Sequence, residues 1–343
     1  MDSNSAGFLE REILAPLTDA QRDAVTHVDG PLLILAGPGS GKTRVITHRI
    51  AYLLHEGIQA QNILALTFTN KAAEEMRLRL QRLTPDEPVW MGTFHSFCAR
   101  MLRQYASHVG LKENFSIYDT KDSEKIFKQT IDECDMDLSY TSPDSILNEI
   151  HWAKNELLSP ENYRPRDGDP TGSLVQRVYG EYQSRLLAAN AVDFDDLLMH
   201  VGLLLRENNE LRKRLDERYR YILVDEYQDT NLAQYVIARA LSQDHPNLAV
   251  AGDPDQSIYG WRGANLSNIL DFEHDYSRVR TVKLEQNYRS TPNILRVADH
   301  LISYNVHRKQ KALFTDRPEG APVQALLASQ GRPGRRRVWE VGV

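Results

Sequence analysis

The stretch Leu32 to Arg44, LLILAGPGSGKTR, restricts the possible folds more than any other in the chain. Its apolar run, Leu32, Leu33, Ile34 and Leu35, reads as a buried strand. A glycine-rich turn follows: Gly37, Pro38, Gly39, Ser40 and Gly41. Lys42 and Thr43 then open a helix with apolar positions at Val45, Ile46, Ile50, Leu53 and Leu54. Strand, glycine-rich loop and helix in this order are the context of a phosphate-binding loop. Glycines let successive N–H groups turn toward one anion, and the helix N-terminus adds positive potential. In that reading Lys42 reaches the β- and γ-phosphates of a nucleoside triphosphate, and the Thr43 hydroxyl ligates Mg²⁺. The strict pattern begins with Gly where this chain has Ala36, which fits if the position needs no positive φ. The bland alternative is an ordinary glycine-rich turn between a strand and a helix.

The 343 residues suffice for two or three domains, and 41% hydrophobic with 26% charged residues describes a soluble globular protein. No apolar run is long enough to span a bilayer, so no membrane partner is expected. The opening MDSNSAGFLERE is acidic and polar, unlike a secretory signal. Cys98 and Cys134 make neither a disulfide framework nor a metal set, so a reducing cytoplasm is the expected compartment. A net charge of −6, from 41 basic and 47 acidic residues, argues against nonspecific coating of nucleic acid. It leaves room for a local basic, aromatic-lined channel.

Residues before Leu17 read as a flexible lead-in. In LTDAQRDAV, Thr18 is an N-cap with Gln21 three residues on. Gln21 has two readings: a capping-box partner of Thr18, or an amide that reads an adenine edge; spacing alone favours the cap. Ile63 to Thr67 reads as a second buried strand, followed by a helix with Ala72, Ala73, Met76, Leu80 and Leu83 on one face. Phe68 and Thr69 fall at that strand's C-terminal end, where α/β folds place ligands. A third strand around Val89–Met91 leads to a corner holding Thr93, Phe94, His95 and Ser96. The alternative for Phe68 and Phe94 is core packing, and for His95 a helix-start hydrogen bond. From about Asn114 to Ala191 the chain is mostly helical and lacks phosphate-type turns, which reads as a helical subdomain inserted between core strands. Asp193, Asp195 and Asp196 then read as helix-start charges at the favourable end of the dipole.

Tyr221 to Val224 is an apolar strand ending in Asp225 and Glu226. One carboxylate there can hold Mg²⁺, and its neighbour can orient or deprotonate an attacking water. Gln228 and Asp229 read as supports of that site or as its coupling to a neighbour. Leu248 to Ala251 is another strand, with Asp253 to Gln256 as its exit loop. The Gln256 amide can bond a γ-phosphate and a water at once. Tyr259, Trp261 and Arg262, beside two glycines, suit stacking on unpaired bases; the alternative is an aromatic plug between domains. Val279 to Leu284 reads as the first strand of a new unit. In EQNYRS, Arg289 is either an arginine finger on the γ-phosphate or an ordinary surface arginine, and Tyr288 either stacks on the base or packs. Pro322 to Ser329 reads as a further strand, and Arg332, Arg335, Arg336 and Arg337 as a solvated basic tail.

The motifs LTDAQ, AGPGSGKTR, ALTFTNKAAEEM, GTFHSF, DFDDLL, VDEYQDTN, GDPDQSIYGWRGA and LEQNYRS, in this order, resemble those of the UvrD/Rep/PcrA family of superfamily 1 DNA helicases. The resemblance runs from about Leu17 to Ser329. It implies an α/β fold: a RecA-like P-loop NTPase core with a parallel sheet, an inserted helical subdomain and an incomplete second RecA-like domain. The boundaries expected are 1–113 and 192–283 for the first motor domain, 114–191 for the insertion and 284–343 for the start of the second. ATP and Mg²⁺ are the implied cofactors. The resemblance moves Gln21 to adenine reader, and places Arg44 near the nucleotide, Tyr288 against the base and Arg289 on the γ-phosphate. It implies that Phe68, Tyr259 and Trp261 line a single-strand track, to which Thr69, Asn70, Thr93, His95 and Arg262 are also assigned. Pro254 in GDPDQ stands where many relatives carry another acid.

The implied activity is ATP-driven 3′→5′ translocation on single-stranded DNA with unwinding at single-strand/double-strand junctions, in repair or replication. Family members continue for several hundred residues; a truncated or frame-shifted product is expected, with an intentionally short protein as the alternative. It would bind ATP and single strands and unwind weakly or not at all. One alternative is an ATP- and single-strand-binding module without motor action. Another is a small-molecule phosphotransferase, against which the Tyr259–Trp261–Arg262 cluster and the helical insertion speak.

Overall fold

The computed structural model describes residues 7, 9–85, 87–134, 138, 141–166, 168–306 and 308–324, with the backbone of 327–328 and 337–338. Its strands up to residue 284, in chain order, are β1 (Leu32–Ala36), β2 (Ile63–Thr67), β3 (Trp90–Thr93), β4 (Ser116–Ile117), β5 (Ala191–Val192), β6 (Tyr221–Val224), β7 (Leu248–Gly252) and β8 (Arg280–Leu284). Six of them form one sheet in the order β3-β2-β6-β7-β1-β8, and every ladder in it is parallel. The fold is therefore α/β with a RecA-like parallel core. Parallel strands need crossovers, and helices covering both faces account for the unbroken apolar runs in β1, β2 and β6.

Side chains alternate across a strand, and β1 shows it. Leu33 and Leu35 join a core cluster with Phe97, Met101, Leu198 and Ile237, whereas Leu32, Ile34 and Ala36 join another with Val25, Val45, Ile50 and Met76. The helix Lys42–His55 lies on the second face and Phe94–Tyr105 on the first. Because all strands run one way, their C-terminal ends gather the loops at 37–41, 68–69, 225–231 and 253–263 along one edge of the sheet.

Helices Thr120–Glu133, Pro143–Asn155 and Pro170–Ala188 pack on one another around their own apolar cluster, including Phe127, Ile150, Val178, Tyr179 and Tyr182. Asp119, Ser142 and Asp169 cap them. The short parallel pair β4 and β5 closes the base of this stretch. Where these helices meet the helix Phe194–Glu207, Lys154 is fully buried, 2.6 Å from Asp193 and 2.7 Å from Asp196. Asp193 and Asp196 also form a reciprocal capping box, so the acids are helix-start groups and counter-ions together.

Two expectations are corrected. The lead-in before Leu17 is not merely a loose arm: Leu9–Leu14 forms a helical turn, Ile13 is buried, and the Ile13 carbonyl lies 2.8 Å from His48 Nδ1. The strand Val279 to Leu284 does not open a new unit. Its residues Arg280–Leu284 pair with β1, in register Leu32↔Arg280 through Ala36↔Leu284. Val282 and Leu284 are buried in the same cluster as Leu32 and Ile34, while Arg280 and Lys283 face solvent, the pattern of an edge strand. The expected strand Pro322–Ser329 and the arginine tail fall largely outside the described residues; the backbone of Leu327–Ala328 pairs antiparallel with Arg337–Val338. No helix among the described residues is long and apolar enough to cross a membrane.

Candidate functional site

The loop after β1 is built by glycine geometry. Gly39 and Gly41 have φ of +68° and +91°, which only glycine adopts at little cost. Ser40 Oγ donates to the Gly37 carbonyl at 2.7 Å and tightens the turn. Gly41 is the N-cap of the helix Lys42–His55, so unsatisfied amides and positive helix potential meet at the loop. Gly37, Pro38 and Gly39 are followed by buried Ser40 and Lys42, with Arg44 exposed on the helix.

β6 delivers the facing carboxylates. Asp225 is buried, its N–H donates to the Leu66 carbonyl, and its Oδ2 accepts from Thr43 Oγ1 at 3.4 Å. Lys42 Nζ lies 3.4 Å from Glu226 Oε2. Burial, and then the charge of Glu226, push Asp225 up to about 7. Such a pair ionises most readily with a cation beside it, and Asp225 with the Thr43 hydroxyl offers the hard oxygen ligands that Mg²⁺ takes. Glu226 holds a left-handed backbone, φ 54°, rare for a residue with a Cβ and typical of strained functional positions. Its side chain is 36% exposed, so a water molecule has access to it.

Gln21 is the capping-box partner of Thr18, and its amide also reaches the phosphate-type loop. Its Oε1 accepts from the Thr18 N–H at 3.2 Å, completing the capping box, and its Nε2 donates to the Ser40 carbonyl at 3.0 Å. The segment after β8 leans on the loop from the other side. Asn287 Nδ2 donates to the Pro38 carbonyl at 2.5 Å, and the Tyr288 N–H donates to the Gly39 carbonyl at 3.0 Å. Asn287 Oδ1 accepts from the N–H groups of Arg289 and Ser290, which sets the turn bearing Arg289. A Cβ at Gly39 would sit 2.8 Å from Arg289 Cβ, so the base of the arginine side chain lies against the loop. Arg289 and Tyr288 are both exposed there.

The aromatic residues form a second group on the same edge. The rings of Phe68 and Tyr259 are 5.0 Å apart with 31° between planes. The Arg262 guanidinium lies 4.6 Å from the Trp261 ring centroid and 5.8 Å from that of Tyr259. Trp261 is 75% exposed, a large apolar ring left facing water. Thr69 and Asn70 are exposed beside Phe68, where Thr69 Oγ1 caps the helix Asn70–Leu83. Thr93 is likewise an N-cap, bonded to the Ser96 N–H and hydroxyl. His95 meets the edge of Phe194 at 6.2 Å, and desolvation holds its imidazole below the ordinary value.

Sequence reasoning read Gln228 as a support of the site or its coupling to a neighbour, and did not single out Asn287, Phe194 or Lys154 for what they do. Gln228 joins Glu226 and Asp229 through Nε2 and the Asp253 N–H through Oε1. Asn287 clamps the loop. Phe194 leaves half its ring in water beside His95. Lys154 had a legible signal: it falls on the apolar stripe of its helix with Leu147 and Ile150.

The UvrD/REP helicase N-terminal domain profile matches residues 17–277. The chain is 46% identical over 319 residues to the ATP-dependent DNA helicase PcrA of Bacillus subtilis (strain 168), covering 92% of this chain and 43% of that protein. It is 46% identical to the PcrA of Staphylococcus epidermidis over 92% of this chain and 44% of that protein. For the PcrA of Staphylococcus aureus the identity is 45% over 323 residues, with shares of 93% and 44%. The chain thus spans under half the length of the curated relatives it matches. With the loop at Gly37–Thr43, the acids at the tip of β6 and this extent of match, the chain belongs to the UvrD/REP helicase family.

Proposed function

We propose that this chain binds ATP with Mg²⁺ and couples its hydrolysis to 3′→5′ movement along single-stranded DNA, as part of a DNA helicase acting at single-strand/double-strand junctions in repair or replication. One observation carries the reading: a hydrogen-bonded chain runs from Glu226 to Gln256, which shares its loop with the aromatic cluster. Glu226 Oε2 accepts from Gln228 Nε2 at 2.9 Å, and Gln228 Oε1 accepts from the Asp253 N–H at 3.0 Å. Asp253 Oδ2 accepts from Gln256 Nε2 at 2.6 Å, three residues before Tyr259. A change sensed at Glu226 and Gln256 thereby reaches the loop that presents Tyr259, Trp261 and Arg262.

In this reading Lys42 and the amides of 39–43 hold the phosphates. Thr43 and Asp225 would hold Mg²⁺, which when bound neutralises phosphate charge and polarises the γ-phosphoryl group. Glu226 orients and deprotonates the attacking water, Gln256 senses the γ-phosphate and Arg289 reaches it. Tyr288 and Arg44 flank the nucleotide, and Gln21 reads adenine by turning its amide from the Ser40 carbonyl. Phe68, Tyr259 and Trp261 stack on bases, with Thr69, Asn70, Thr93, His95, Phe194 and Arg262 along the track. The names of the matched relatives, ATP-dependent DNA helicases, support this assignment. A cytoplasmic location and the division at 114–191 and near 284 belong to the same proposal.

The test is ATP hydrolysis by the 343-residue chain with and without oligo-dT. Stimulation that Trp261→Ala abolishes supports the reading; slow turnover indifferent to DNA would favour a binding module without motor action. Strand displacement by this chain alone is expected to be weak or absent, because one sheet carries both sites among the described residues and a translocase needs a second grip.

A further inference from the structure

Residues 308–316 fold back over the nucleotide loop, and Lys311 at their centre is buried between two aspartates. Lys311 Nζ pairs with Asp253 Oδ1 and lies 2.8 Å from Asp255 Oδ2. The lysine side chain is 1% exposed and that of Asp253 is 0% exposed. Asp255 has a second cation, Arg308, at 3.1 Å. The other oxygen of Asp253 accepts from Gln256 Nε2 at 2.6 Å. Thus the carboxylate of Asp253 grips the Gln256 amide, and Lys311 grips the carboxylate.

The same segment is braced against the rest of the site. A Cβ at Gly37 would meet the tip of the Leu313 side chain, so the segment packs against the first glycine of the loop. The Asn287 N–H donates to the Phe314 carbonyl at 2.7 Å, and the Phe314 N–H donates to the Glu285 carbonyl at 3.1 Å. Residues 308–316 therefore touch the phosphate loop, the turn bearing Arg289 and the loop bearing Gln256.

A buried ion pair adds little net stability over apolar packing, and its best use is to hold one geometry. We propose that Lys311 is a positioning residue: by pinning Asp253 it holds Gln256 in the one orientation from which that amide senses a γ-phosphate. This rests on the role given above to Gln256. Removing the ammonium leaves a buried carboxylate without its cation, which then draws a proton or another donor and releases the Gln256 amide.

The experiment is equilibrium titration of the full chain with Mg·ADP and with Mg·ATPγS, which needs no turnover. Wild type should prefer ATPγS, and Lys311→Met should cut that preference by about tenfold while leaving ADP affinity in place. Lys311→Arg should restore most of it, a rescue that lost packing alone does not give. If Lys311→Met loses its cooperative melt, Lys311→Gln takes its place with the same expectation. An unchanged ATPγS/ADP ratio, a wild type without the preference, or equal loss of both affinities would overturn the proposal. Failure of the motor reading is seen separately, as hydrolysis indifferent to oligo-dT.

Discussion

Lys42 Nζ rests 3.4 Å from Glu226 Oε2, so the loop lysine is held by the carboxylate proposed as the general base. In the proposed function a triphosphate draws the lysine away and this contact opens. Lys42→Ala should lose ATP binding and turnover together. Glu226→Gln should bind ATP and slow hydrolysis by about 10²–10⁴-fold. Nucleotide titration and single-turnover hydrolysis separate the two; hydrolysis at the parental rate in Glu226→Gln would remove Glu226 from the chemistry.

Trp261 carries its ring in water with Arg262 against one side. Trp261→Ala should therefore leave thermal stability unchanged and weaken binding to a short oligo-dT by about 1–3 kcal/mol, the worth of one stacked base. Fluorescence anisotropy reads the affinity. Full affinity in the variant would remove Trp261 from the proposed single-strand track.

Lys154 is sealed between Asp193 and Asp196, with Tyr182 OH on Asp193 at 3.1 Å and Gln183 Nε2 on Asp196 at 3.0 Å. Breaking such a set from one side strands buried charge. Lys154→Ala should cost about 3–5 kcal/mol in a denaturant melt. A variant that unfolds at the wild-type midpoint would mean that the acids find solvent or a proton cheaply.

His151 Nδ1 lies 2.7 Å from Asp195 Oδ2. Burial pulls this imidazole down, but the Asp195 hydrogen bond and charge outweigh it and raise it above its ordinary 6.5. A raised folded value means the protonated pair stabilises fully below pH 6.5 and loses that contribution as the pH climbs through the higher folded value. The gap in urea midpoint between wild type and His151→Gln should be wide at acid pH and narrow at alkaline pH. The opposite trend would show a histidine buried neutral.

Gly39 combines φ +68° with contact to Arg289 and Asn287. Gly39→Ala should pay about 1 kcal/mol in backbone strain alone. It should also push the Arg289 turn off the loop, so its loss in hydrolysis should exceed its loss in stability, as paired melts and turnover assays will show.

The local chemistry was legible in the chain. Leu32–Leu35, the glycines behind them and Lys42–Thr43 determine a strand, a loop and a helix start, because periodicity and φ requirements act within a few residues. The placement of Asp225 and Glu226 at a strand tip was legible for the same reason, whereas Tyr259 and Trp261 left base stacking and an aromatic plug both open. Tertiary structure alone decided which distant groups meet. Val279–Leu284 reads as the first strand of a new unit, and only the pairing of Arg280–Leu284 with β1 shows it to be the edge of the first sheet, burying Val282 and Leu284. Lys154 with Asp193, Lys311 with Asp253, and Asn287 with Pro38 join residues far apart in the chain. Burial sets the worth of such pairs, and burial is a property of the packed whole.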